Sequence, residues 1–140
     1  MPIRYILDTD TVTYQQLGRE LVVQHLSQIP SDEIATTVVT MYEQLRGRLA
    51  AVNRQQNVLQ LQRAFQHLRA TQLYYCQVPV LLFDDTAQAH YEALLKQKTR
   101  IGTQDLRIAP IALSQQAVLV TSNQRHFNQI SGLKLEDWNQ

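Results

Sequence analysis

Apolar and polar positions alternate along this chain in short blocks, and the blocks set the expected elements. Ile3–Leu7 is a brief apolar run with one Arg that stops at Asp8-Thr9-Asp10. A short run of this kind ending in turn formers predicts a first strand. Leu17–Ile29 carries a helical pattern stopped by Pro30-Ser31, and Glu33–Thr37 predicts a second strand. Val38, Tyr42, Leu45, Leu49 and Val52 then recur at helical spacing, which predicts a helix to about Asn53-Arg54 with a stripe through Tyr42, Leu45 and Leu49. Val58–Leu68 predicts a further helix with Leu59, Leu61, Phe65 and Leu68 in the core. Pro79–Phe83 reads as a third strand, followed by a cap at Asp84-Asp85-Thr86 and a helix over Ala87–Lys96. Leu106–Gln115 is helical, Val118–Thr121 a fourth strand, Gln124–Ile130 a short helix ending at Gly132, and Leu133–Leu135 a last edge strand.

Strands alternating with helices imply an α/β fold, a parallel sheet covered on both faces. Ligands of such sheets bind at the carboxyl ends of the strands, so residues directly after a strand matter most. The 140 residues are enough for one domain, and 44% apolar with 18% charged residues is a globular composition. A net charge of +1 means that any nucleic-acid contact comes from a local patch rather than from overall charge. Cys76 is the single cysteine, which excludes an internal disulfide and a cysteine-based zinc site and fits a reducing compartment. No charged stretch precedes a long apolar one at the start, and runs such as Val78–Phe83 are too short to span a bilayer. The expectation is a soluble, cytoplasmic, single-domain protein without a membrane role.

Three acids carry the candidate chemistry. Asp8 directly follows the first strand, where its carboxylate either projects into the crevice or caps a helix. Glu43 lies one turn into the helix after the second strand and points away from the apolar stripe. It belongs either to a solvated face or to an overhang above the crevice. Asp105 shares a helical face with Ile108, Ala109 and Ala112. A carboxylate on a buried face is costly unless paired, protonated or metal-bound, although an N-cap would also satisfy it. Three carboxylates without a cysteine suit Mg²⁺ or Mn²⁺, which lowers the pKa of a bound water and neutralises charge on a phosphate.

The run Ile101-Gly102-Thr103-Gln104-Asp105-Leu106-Arg107-Ile108-Ala109, with Ala112-Leu113, resembles the third acidic motif of PIN-domain toxins of the VapC type. Leu119-Val120-Thr121-Ser122-Asn123, then His126-Phe127, Gly132-Leu133 and Glu136-Asp137-Trp138, resembles the closing segment of that family. Tyr5-Ile6-Leu7-Asp8-Thr9 is similar to its first motif and Thr40-Met41-Tyr42-Glu43-Gln44-Leu45-Arg46-Gly47 to its second. The ordered set spans the whole chain. The resemblance implies a PIN-like three-layer fold over residues 1–140 and a Mg²⁺- or Mn²⁺-dependent endoribonuclease. It further implies a homodimer that cleaves RNA and is held inactive by a cognate antitoxin. On that resemblance Asp8, Glu43 and Asp105 are the catalytic, metal-binding acids. Thr9, Thr121 and Asn123 are polar supports, with Asn123 acting through a metal-bound water.

Three positions depart from the family pattern. Asp10 stands where Asn or Ser is common and adds charge, Asn123 and His126 stand where another acid is often found, and Pro110 interrupts the helix of Asp105 and is expected to kink it. Arg46, Arg48, Arg100, Arg107 and Arg125 fall in or beside the motifs, either as phosphate clamps or as a solvated charged face. His25, His67 and His90 lie in helical patterns without ligand spacing, Trp138 reads as a packing residue, and Tyr74-Tyr75 suits an interface or a core edge. Two rival readings remain. One is a PIN-fold module that binds RNA or protein without cutting. The other is a haloacid-dehalogenase-like phosphatase with Asp8-Thr9-Asp10-Thr11-Val12 as nucleophile motif and Asp84-Asp85 as metal pair.

Overall fold

In a computed structural model, describing residues 2–54 and 57–140, five short strands form one sheet: β1 (Tyr5–Leu7), β2 (Ile34–Thr37), β3 (Val80–Leu81), β4 (Val118–Val120) and β5 (Lys134–Glu136). Their spatial order is β3-β2-β1-β4-β5 and every pairing is parallel. The helices are α1 (Thr9–Gln16), α2 (Glu20–Ser27), α3 (Val38–Asn53), α4 (Val58–Gln77), α5 (Asp85–Lys96), α6 (Asp105–Gln115) and α7 (Gln124–Phe127). The expected α/β architecture is thus present, and β5 is the edge strand that Leu133–Leu135 foreshadowed.

Consecutive strand residues point to opposite faces, and this alternation divides the core in two. Ile6 and Leu119 pack with Ala87, Leu94, Ile108, Ala112 and Phe127 from α5, α6 and α7. Their neighbours Leu7 and Val120 pack on the other side with Val12 of α1, Val22 of α2 and Trp138. Burial on both faces explains why the strands read as continuous apolar runs rather than as alternating ones.

The structure corrects the sequence reading at four places. The expected Leu17–Ile29 helix is confined to α2 at Glu20–Ser27, and the polar run Thr9–Gln16, for which periodicity predicted nothing, forms a separate helix, α1. Gly18 breaks them apart with φ +73°. Its N–H donates to Gln15 O and that of Arg19 to Tyr14 O, the Schellman stop that a left-handed residue makes possible. The buried face of α3 is Val39, Thr40 and Gln44; Tyr42 is 48% and Leu49 54% exposed, so the apolar stripe faces outward. In α4, which runs on to Gln77, Ala64 and Thr71 are buried while Leu59, Leu61 and Phe65 are exposed. α3 and α4 pack against each other through small and polar side chains, which apolar periodicity does not register. α6 continues through Pro110, itself buried, without interruption. Among the described residues no helix is long and apolar enough to cross a membrane.

Candidate active site

From β1 the chain proceeds outward to β2 and β3, then crosses back to lay β4 on the other side of β1. The strand order therefore reverses between β1 and β4, and their carboxyl ends open the crevice where such sheets take ligands. Asp8 leaves β1 into this crevice and Thr121 leaves β4 beside it.

Asp8 meets the cap reading. Its Oδ1 accepts from Thr11 N at 2.9 Å and caps α1, and the carboxyl also takes a hydrogen bond from the Thr121 side chain. The Thr121 Oγ1 in turn accepts from Asn123 N at 2.9 Å. Only 4% of Asp8 is exposed. Burial pushes its carboxyl up to about 6, against the pull of the Thr121 and Thr11 hydrogen bonds, and the nearby charge of Asp10 adds to the rise.

Glu43 is held from below by a threonine ladder. Thr37 caps α3 by accepting from Thr40 N at 3.1 Å. Thr9 Oγ1 stands 3.1 Å from Thr40 Oγ1 and donates to Glu43 Oε1 at 2.6 Å. Thr9 thereby ties the turn after β1 to the helix after β2, and fixes one oxygen of Glu43. The adjacent Gln44 is buried and fully engaged. Its Oε1 accepts from Tyr75 Oη at 2.7 Å and Gln16 Nε2 at 3.0 Å, and its Nε2 donates to Gln16 Oε1 at 2.9 Å and Thr13 Oγ1 at 3.2 Å. Tyr74 donates to Gln15 Oε1 at 2.7 Å, so the tyrosine pair is a core edge joining α4 to α1 and α3. Replacing Gln44 by Leu strands the half-buried hydroxyls of Thr13 on α1 and Tyr75 on α4. We expect a loss of about 2 kcal/mol in urea unfolding, with an unchanged m-value.

Asp105 is the first residue of α6, and the preceding Gln104 makes no side-chain cap. The cap alternative therefore does not account for this carboxyl. Partial burial raises it above the ordinary carboxylate range, and the charges of Glu43 and Asp10 raise it further, while His126 and the Asn123 hydrogen bond oppose the shift. Asn123 Nδ2 donates to Asp105 Oδ2 at 3.3 Å and lies 2.9 Å from His126 Nδ1. One amide nitrogen with two hydrogens serves both contacts if His126 accepts at Nδ1 and carries its proton on Nε2.

The electrostatics thus place Glu43, Asp10 and Asp105 in one charged neighbourhood, with Asp8 buried beneath Asp10. Among the described residues no three His, Cys, Asp or Glu side chains stand close enough to hold one ion between them. Of the arginines, Arg46, Arg100 and Arg125 are exposed. Arg48 spends Nε on Thr71 at 3.0 Å, bracing α3 on α4. Arg107 is half-buried with Nη1 3.3 Å from Gln104 Oε1. The Asp84-Asp85 pair lies beyond β3 at the sheet's far edge, where Asp84 caps α5 by accepting from Ala87 N at 2.9 Å. That position is two strands from β1, and it removes the pairing which the phosphatase reading needs. Sequence reasoning missed Thr11, Thr40 and Gln44. The available signal was threonine at the ends of β1, β2 and β4, a residue that satisfies buried backbone and carboxylate groups alike.

Comparison with known proteins agrees with this geometry. The PIN domain family model matches residues 5–133. The chain is 32% identical over 140 residues to ribonuclease VapC1 of Haemophilus influenzae, covering 96% of this chain and 97% of that one. It is 24% identical to the tRNA(fMet)-specific endonuclease VapC of Salmonella typhimurium, covering 97% and 98%. Its fold is similar to a chain of the VapBC-1 structure from nontypeable Haemophilus influenzae, with a TM-score of 0.78, 30% identity and coverage of 99% and 100%. DNA-bound VapBC from Salmonella typhimurium gives a TM-score of 0.78 at 25% identity over 97% of this chain and 98% of that one. With a matching model over nearly its whole length, an acid at the end of β1 and an acid opening α6, the chain belongs to the PIN-domain family.

Proposed function

We propose that this chain is a metal-dependent endoribonuclease, the toxin of a toxin–antitoxin pair, folded as one PIN-like domain over residues 1–140. The observation that supports the reading is the like-charged neighbourhood of Glu43, Asp10 and Asp105 at the switch point of the sheet, where Asp8 ends β1, and we assign Asp8, Glu43 and Asp105 as its metal-binding acids. Relatives named ribonuclease VapC1 and tRNA(fMet)-specific endonuclease VapC support the reaction class. The VapBC complexes support a small antitoxin as partner. A homodimer in the cytoplasm completes the reading.

The donor set fits a hard divalent cation. Every candidate ligand is an oxygen, and the upward shifts of Asp8 and Asp105 are those of desolvated carboxyls facing like charge. Mg²⁺ is commonly held by one or two carboxylates with water and substrate phosphate completing its shell, so Glu43 and Asp105 suffice as its anchors with Asp8 supporting. When bound, such an ion supplies an activated water and charge neutralisation at a phosphate. The chain's own residues prepare the ground. Thr9 aims Glu43, Asn123 aims Asp105, and Thr121 holds Asp8 in a pocket from which water is largely excluded. Orientation of this kind matters because small misplacement of a ligating group costs rate steeply.

The test is cleavage of structured RNA by purified protein with Mg²⁺, with Mn²⁺ and with a chelator. Cleavage is expected with either ion and none with the chelator, and Asp105→Asn is expected to lower the rate about 100-fold. Asn123 and His126, standing where a further acid is common, favour a second reading of an RNA-binding module that does not cut. RNA retained on the protein with no cleavage above the Asp105→Asn background would decide for it. Co-expression with the neighbouring reading frame is expected to relieve toxicity, and toxicity unaffected by that neighbour would overturn the toxin role alone.

A further inference from the structure

Beside the acids lies a cavity of about 430 Å³ that the proposed chemistry does not use. Its floor is Val38 and Val39 at the start of α3, and its walls are Tyr42, Phe83 and Tyr91. Gln104, the residue before α6, and Arg107 of α6 also line it. Tyr42 immediately precedes Glu43 and Gln104 immediately precedes Asp105, so the cavity and the carboxylates share both helices. Phe83 and Tyr91 stand nearly perpendicular, at 79° with centroids 5.5 Å apart, a favourable edge-to-face pair. Phe83 and Tyr42 nonetheless leave much of their rings in water, an apolar cost that an occupant would remove.

We infer that this cavity binds one unstacked nucleobase of a single-stranded RNA, next to the phosphate held at the acids, and so sets base preference. The inference rests on the ribonuclease reading for its substrate class. Single-stranded RNA is recognised by splaying a base onto aromatic side chains and reading its edge with hydrogen bonds. Here the rings supply the platform. The Gln104 amide offers both a donor and an acceptor, and the Arg107 guanidinium a planar set of donors, suited to the edge of a base or to its flanking phosphate. The size lies at the lower end of ligand sites, right for one planar ring system and its sugar. The guanidinium favours an anionic strand over a second copy of this apolar face, whose approach would bury that charge unpaired.

The test uses short single-stranded RNAs carrying each base, or an abasic ribose, at positions flanking the cleaved bond. Cleavage efficiency is compared for the full chain, Tyr42→Ala and Phe83→Ala. At one flanking position, loss of the base is expected to lower kcat/KM for the unaltered chain by about 5- to 150-fold, the range for one stacked base. In Phe83→Ala that difference disappears, while the abasic RNA is cut as fast as by the unaltered chain. Equal losses on base-containing and abasic RNA would overturn the inference. So would a fall to monomers in sedimentation with base dependence intact, which would mark the face as a contact between copies. Because Phe83→Ala can disturb α5, the exposed Tyr42→Ala variant, checked by circular dichroism, repeats the comparison.

A second readout is independent of cleavage: shifts of the Phe83 and Tyr91 ring protons on titration with an uncleavable 2′-O-methyl tetranucleotide and with its abasic counterpart. Ring shifts with the base-bearing oligonucleotide alone, in a protein that cuts nothing, would sustain the pocket and sink the ribonuclease reading. Cleavage with no base dependence and no ring shifts would do the reverse.

Discussion

Asp8→Asn is expected to yield a protein more stable than the parent at pH 8 and at least about 1,000-fold slower in RNA cleavage. The stability half follows from burial. The Asp8 carboxyl titrates near 3.8 in an unfolded chain and at about 6 in the fold, so the folded state binds the proton more tightly. Stability contributed by such a group is fully present below pH 4 and is lost as pH rises through about 6. Two units correspond to about 2–3 kcal/mol, paid by the ionised carboxylate at neutral pH and above. Asparagine has the same shape, caps a helix as well, keeps an oxygen for Thr11 N and offers an amide N–H to Thr121, with no charge to desolvate. In the presence of chelator, a melting temperature higher by about 3–10 °C at pH 8 is expected, shrinking toward zero at pH 4. The activity half follows because an anion near a metal and a scissile phosphate supplies several kcal/mol of transition-state stabilisation. A variant less stable than the parent at pH 8 would show that the hydrogen bonds to Thr121 and Thr11 outweigh the burial.

That pairing of strain with chemistry explains how far the sequence could be read. Strand and helix order was legible because both faces of the sheet are buried, which leaves apolar blocks such as Ile3–Leu7 and Val118–Thr121 between turn formers. Asp8 and Asp105 were legible as candidates, one from its place after a strand and the other from the apolar face it continues through Ile108, Ala109 and Ala112. What periodicity could not give was the outward turn of Tyr42 and Leu49. It assumes that apolar side chains mark the core, and here α3 is anchored through Thr40 and Gln44 instead. The same failure hid α1, a helix made of polar residues and fixed by an aspartate cap at one end and a left-handed glycine at the other. Glu43 had only resemblance behind it, since the bond that gives it a place comes from Thr9, 34 residues away. Long-range pairing of polar groups leaves no period in a sequence, and the site is made of such pairs.

Trp138→Ala is expected to cost about 3–5 kcal/mol, the range for deleting a large buried aromatic, which is a third or more of the stability of an ordinary domain. The residue is two from the last in the sequence, where side chains are commonly loose, yet only 2% of it is exposed. Its ring stacks on His25 at 5.3 Å, nearly parallel, and lies 5.2 Å from Tyr5 at a tilt, so it joins α2 to β1 on the face of the sheet that packs Leu7 and Val120. Its Nε1 donates to Glu136 Oε1 at 2.9 Å, fastening the end of β5. The loss should therefore exceed the simple cavity and also reach the site. Thr121 N donates to Glu136 O at 2.9 Å, and Thr121 is the residue that holds Asp8. We expect urea unfolding at a markedly lower midpoint with the m-value kept. In the folded variant, amide exchange at Thr121 should be faster, and Trp138→Phe should restore about half of both effects, since a phenyl ring keeps part of the stack but loses the Nε1 bond and some of the buried ring volume. A large stability loss with Thr121 exchange unchanged would separate the packing of this ring from the geometry of the acids. Agreement of the two would make the last turn of chain a mechanical support of the crevice four strands' worth of sequence away from Asp8.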